Sequence, residues 1–195
     1  MMIFMRTSRL VTCSRLNITE KDMKQIIIYA SLHGAAKRYA ERLAEITGIE
    51  AKSFKEVKDL AQFERIIYVG AIYAGGVMGL KNTAQKFKSG QEVIIATVGM
   101  TDPTDPVFVS NIRGAIRQLV SADICSDDNI FHLRGAIDYS NLGLGHRILM
   151  KMMYSQATKT PDDKLTAEAK AIKETYGQAV DFVNFDTLNP VVEKL

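Results

Sequence analysis

The stretch "IIIYASLHGAAKRYAERL", residues 26–43, decides the fold of this 195-residue chain. Three isoleucines and a tyrosine form an unbroken apolar run, the pattern of a parallel strand covered on both faces. After a small polar turn, Ala36, Tyr39, Ala40, Leu43 and Ile46 recur at helical spacing until Gly48, a residue suited to the helix C-terminus. A strand that passes into a helix through Ser31, Leu32, His33, Gly34, Ala35 and Ala36 aims backbone N–H groups and the positive helix end at one point. Small residues there let an anion such as a phosphate approach closely. The same residues also read as an ordinary short connection in which Gly34 serves backbone geometry alone.

The alternation continues along the chain. "RIIYVGA" (65–71), "QEVIIATVG" (91–99) and "NIFHLRG" (129–135) read as strands, with a short one near 50–54. Helices are predicted over 56–63, 80–87, 107–120 and, as one long element, 162–183. Five strands interleaved with helices predict an α/β fold built on an open, doubly wound parallel sheet. Such sheets bind ligands beyond the carboxyl ends of their strands. Two further loops fall on that rim. "GAIYAGGVMG" (70–79) offers Tyr73 to stack on a flat ring, while Gly75 and Gly76 bring main-chain groups to the ring edge. It reads equally as a flexible glycine loop with Tyr73 packed on the sheet. "TVGMTDPTDP" (97–106) is turn-rich and faces the same crevice.

Composition narrows the function classes. Residues 1–22 carry +2 of the overall +3 charge, which leaves the remainder nearly neutral and gives no argument for nucleic-acid binding. That basic stretch lacks a clean period, and we expect it to be a disordered extension, with the domain proper over 23–195 and Met23 the natural start. No run approaches the ~20 apolar residues of a membrane span. Cys13 and Cys125 are far apart and form no CxxC pair, which fits a reducing cytoplasm. His33, His132 and His146 show no metal-ligand spacing, and neither a P-loop nor a GxSxG elbow is present. "ASLHGAA" also lacks the acidic cluster of a receiver domain.

"YASLHGAAKRYAERLAE", "VGAIYAGGVMGLK", "ATVGMTDP" and above all "FHLRGAIDYSNLGLGHRILMKMM" resemble the flavodoxin-domain family, in particular the subgroup of menaquinone-dependent protoporphyrinogen dehydrogenases. The resemblance spans residues 23–183. It implies a flavodoxin-like five-stranded sheet of order 2-1-3-4-5 and non-covalent FMN. Carried over, Ser31 through Ala36 become the phosphate loop. Ile72, Tyr73, Ala74, Gly75 and Gly76 become one flavin-flanking loop, and Thr97, Val98, Gly99, Met100, Thr101 and Asp102 the other. His33 and Ala36 stand where such loops often have threonine, and the 97–106 loop lacks the tyrosine that often covers the second flavin face.

"DYSNLGLGHRILMKMMYSQ" (138–156) lies after the fifth strand, where a minimal flavodoxin needs only a turn. Projected on a helix, Leu149, Met152 and Met153 fall on one side, and His146, Arg147 and Lys151 supply basic heads. Such an element lies on a membrane surface, covers an apolar substrate, or packs on the core with a solvated basic edge. The resemblance places a porphyrinogen or quinone here, with Arg134, Asp138, Tyr139, His146, Arg147 and Lys151 as substrate or membrane contacts. Arg134 and Asp138 read equally as a structural ion pair. No catalytic residue stands out, and the sequence leaves the oligomeric state open. Three readings follow: an FMN oxidoreductase oxidising a porphyrinogen with a quinone acceptor, at the inner face of the cell membrane; a flavodoxin-like electron carrier with another redox partner; and a flavin-free binding module.

Overall fold

In the computed structural model, which describes residues 23–195, the isoleucine run forms β1 (Gln25–Ala30), an interior strand of the sheet. The β1–α1 turn leads into α1 (Ala35–Thr47), which ends on Gly48 in the left-handed conformation. β1 is flanked by β2 (Ala51–Ser53) on one side and β3 (Arg65–Tyr73) on the other, both parallel to it. β5 (Glu92–Gly99) and β6 (Ile130–Arg134) complete the order β2-β1-β3-β5-β6. β4 (Gly76–Val77) is a short antiparallel arm of β3, so the five principal strands run 2-1-3-4-5 as expected.

The period-two alternation of each strand sorts its side chains to two cores. Ile26, Ile28, Tyr68 and Ile95 join α3 (Pro106–Arg117) through Phe108, Ile112 and Ile116. Ile27, Ile67 and Ile94 join α1 through Tyr39 and Leu43, together with Leu188 and Val191 from the C-terminal turn and helix α6 (Asn189–Val192). Because both faces are covered by helices, alternate residues never reach water, and the strands read as continuous apolar runs. Ile46, assigned to the apolar face of α1, is instead 46% exposed at its end.

Several elements depart from expectation. Residues 56–63 form turns, not a helix: Val57 and Leu60 are buried, and Gln91 Nε2 donates to the carbonyls of Leu60 and Phe63, both at 2.7 Å. The helix expected over 80–87 shortens to α2 (Leu80–Ala84), and α3 starts at Pro106 under an Asp105 cap whose Oδ1 accepts from Phe108 N at 2.8 Å. The long helix expected over 162–183 does not exist. It breaks into a 3-10 turn (Asp162–Lys164), α5 (Ala167–Thr175) and β8 (Ala179–Asp181), with Gly177 at φ 80 making the reversal. β8 pairs antiparallel with β7 (Ala136–Asp138), so α5 and α4 (Leu144–Lys159) form a subassembly beyond the carboxyl end of β6. Ile137, Tyr139 and Leu142 make its small core with Met100, Met150, Tyr176 and Val180. The expected extension, residues 1–22, lies outside the described residues.

Candidate functional site

The carboxyl ends of β1, β3, β5 and β6 converge on a cavity of about 330 Å³ roofed by α4 and α5. Ser31, Leu32, His33, Ala35 and Ala36 line it from the first turn. Gly34 sits at the N-cap of α1 with φ 90 and ψ −25, and no side chain caps the helix there. The first amide N–H groups of α1 are therefore open to an anion, at the positive end of the helix. Ser31 Oγ is buried and has no hydrogen-bond partner among the described residues, which is costly unless a ligand supplies one.

The second loop is tighter than expected. Ile72 and Tyr73 belong to β3, and the hairpin to Gly76 turns on Ala74 at φ 50 and Gly75 at φ 76. A two-residue turn with both φ positive fixes the direction of the arm, so Tyr73 is presented at the rim, 42% exposed. Ile72, Tyr73, Ala74 and Gly75 line the cavity, and so do Val98, Gly99, Met100 and Thr101 from the end of β5.

Four residues of the expected cofactor set do not line it. Gly34 and Gly76 shape their turns; Asp102 is exposed and accepts from Thr104 N and Oγ1 at 2.8 and 2.7 Å. Thr97 is buried and faces His132: its Oγ1 lies 2.8 Å from Nδ1. Arg113 Nε donates to His132 Nε2 at 3.4 Å, which leaves Nδ1 as the protonated nitrogen of the neutral ring. Burial, and then the Arg113 charge, push the His132 pKa down to about 4. Because the unfolded imidazole takes up its proton near 6.5, the stability owed to a neutral His132 is complete above that pH and is lost as the pH falls towards 4. The expected loss is about 2 kcal/mol, allowing for solvent at the ring edge. His132→Gln should flatten this acid limb in thermal melts; an unchanged slope would assign the limb to other groups.

Of the residues expected at the insertion, Tyr139 and His146 line the cavity. Arg134 and Asp138 do not, and they do not pair with each other. The Arg134 guanidinium stacks on Phe182 at 3.8 Å and donates to Met100 O, while Asp138 caps the following turn by accepting from Ser140 N at 2.9 Å. Arg147 donates to Ser140 O, and Arg147 and Lys151 border a separate shallow depression with Ile148 and Tyr176. The faces of α4 also differ from the expected projection. Leu149, Met150 and Met153 face the cavity, whereas Met152 points outward with Leu144 and Ile148, which are 62%, 76% and 63% exposed.

Glu168, Ala171, Ile172 and Thr175 of α5 form a wall that the sequence reading misses. Gly177 is the one local signal that could have revealed it, since a glycine there ends α5 and turns it back over the rim. The chamber is mostly apolar towards α4 and α5, where Leu149, Met150, Met153, Ala171 and Ile172 face it, with His146, Glu168 and Thr175 as the polar groups on those two helices.

The family model for the flavodoxin domain matches residues 26–164. The chain belongs to the flavodoxin-domain family. Among solved structures, this flavodoxin domain is similar to a flavoprotein from Lactobacillus acidophilus in complex with FMN, at 14% identity and a TM-score of 0.40, covering 57% of this chain and 92% of that one. It is similar also to a flavodoxin from the domain Archaea, at 17% identity and 0.41, covering 57% and 83%. A Fusobacterium nucleatum flavodoxin bound to flavin mononucleotide matches at 19% and 0.39, covering 60% and 80%. Among curated proteins none matches.

Proposed function

We propose that this flavodoxin domain binds FMN in the rim cavity and carries reducing equivalents between an apolar donor and a quinone. The observation that carries the reading is the buried, unpartnered Ser31 Oγ beside the uncapped N-terminus of α1, at one end of a cavity that runs on to Tyr73 and an apolar chamber. The residues present fit the cofactor. Ser31 Oγ and the open amides of α1 would hold its phosphate, and Tyr73 with the Ala74–Gly75 turn would border its ring. FMN, when bound, supplies one- and two-electron chemistry that no side chain of the cavity offers.

The protein's part is access and exclusion. Leu149, Met150 and Met153 of α4, with Ala171 and Ile172 of α5, shield the chamber from water and make it suited to a large apolar partner. A porphyrinogen as donor and a menaquinone-type acceptor match that chemistry. The outer stripe of α4, with Leu144, Ile148 and Met152 exposed beside Arg147 and Lys151, supports contact with the membrane surface where such partners reside. Among the described residues no helix is long and apolar enough to cross a membrane.

Titration of the flavin-free protein with FMN tests the cofactor, and we expect stoichiometric binding with quenched fluorescence. Anaerobic turnover of protoporphyrinogen with menadione then tests the substrate. Binding without that turnover would leave an electron carrier with another partner, and no binding would overturn the reading.

A further inference from the structure

α4 reaches back over the polar end of the cavity. The His146 ring lies 6.1 Å, centroid to centroid, from His33 on the first turn, and 6.1 Å from Tyr73 on the hairpin. One side chain of the insertion thus touches both rim loops. The cavity lining contains neither lysine nor arginine; its other titratable side chains are Tyr73, Tyr139 and Glu168. Arg147 is engaged by Ser140 O, and Arg134 by Phe182 and Met100 O. A phosphate dianion brought to Ser31 therefore meets two side chains able to carry positive charge, His33 and His146.

We propose that His33 and His146 form a two-histidine clamp on the ligand's phosphate, so that the phosphate latches α4 over the cavity and binding takes up protons. The inference rests on the FMN reading above and adds a role for the insertion at the phosphate end. Burial of its inner edge, and then the nearby His146, hold the His33 pKa below its ordinary value. Two protonated imidazoles at this separation repel, whereas a dianion within reach of both favours the charged forms and supplies strong charge-assisted hydrogen bonds. Affinity should therefore rise as the pH falls through the raised histidine pKa values. It should level off near pH ~6, where the phosphate begins to take up its own proton.

The test compares FMN with riboflavin, which lacks the phosphate, by fluorescence titration between about pH 8 and about pH 6. FMN affinity should rise about tenfold over that range while riboflavin affinity stays flat. His146→Gln, at a partly exposed position, should lower FMN affinity about tenfold at the acid end and flatten its profile, while any change in riboflavin affinity is the same at every pH. In parallel, the imidazole nitrogen resonances of labelled wild-type protein should report upward pKa movement of both histidines on adding FMN. Parallel pH profiles for the two flavins, or immobile imidazole pKa values with FMN bound, would overturn the clamp alone. Absence of FMN binding at every pH would overturn the cofactor reading and the clamp with it.

Discussion

Gly34→Asp is expected to abolish FMN binding and leave the fold standing. A Cβ at position 34 meets nothing within 4 Å, so steric collision does not enter. The φ of 90 is strained for any side chain, but aspartate and asparagine tolerate the left-handed region better than most, at about 1 kcal/mol. What aspartate adds is a carboxylate at the N-cap of α1, beside the amides that would receive the phosphate. It competes for those donors and repels the dianion. At an effective dielectric of ~20, unit charges about 4 Å apart interact by about 4 kcal/mol, enough for a loss beyond about a hundredfold. Gly34→Asn carries the same shape and backbone strain without the charge, and should keep most of the affinity. Flavin titration and thermal melts of both variants separate the effects. Stoichiometric FMN on Gly34→Asp would remove the phosphate from this turn.

The turn at residues 31–36 is legible because every signal for it is local: an isoleucine run, a glycine, and an apolar stripe ending at Gly48. The strands are legible for the same reason, since strands buried on both faces announce themselves without reference to their neighbours, whereas their order 2-1-3-4-5 is implied by the family resemblance alone. The misread elements depend on contacts distant in sequence. Val57, Leu60 and Phe63 imitate a helical face, yet the carbonyls of Leu60 and Phe63 are satisfied by Gln91, which nothing near them encodes. The split of residues 162–183 depends on β8 finding β7, a pairing set by Ile137 and Val180. With α5 misplaced, the wall containing Glu168 and Ile172 is invisible. α4 poses a different difficulty, because it is apolar on two sides and helical projection cannot say which side faces inward.

Those two sides give the second large effect. Replacing Leu144 and Ile148 with serine and Lys151 with glutamate should strip the protein from vesicles containing anionic lipid and lower its quinone-linked turnover. Arg147 is left in place because its guanidinium holds the preceding turn through Ser140 O, and its loss would mix docking with local structure. α4 carries no acidic residue, so Lys151 acts beside Arg147 without a countercharge on the same helix. A basic residue at an anionic surface contributes about 1 kcal/mol, and each large aliphatic side chain moved from water into lipid about 1.5–3 kcal/mol. The triple variant should therefore bind vesicles more than about a hundredfold more weakly. Its melting temperature should hold, since the substituted side chains point to solvent, and its FMN affinity should hold, since His146, Leu149 and Met153 occupy the opposite face. Co-sedimentation with anionic and with zwitterionic vesicles, flavin content and menadione reduction on one preparation would decide. Unchanged sedimentation would assign the outer stripe to something other than a membrane. Lost FMN would show that the two faces of α4 are not independent.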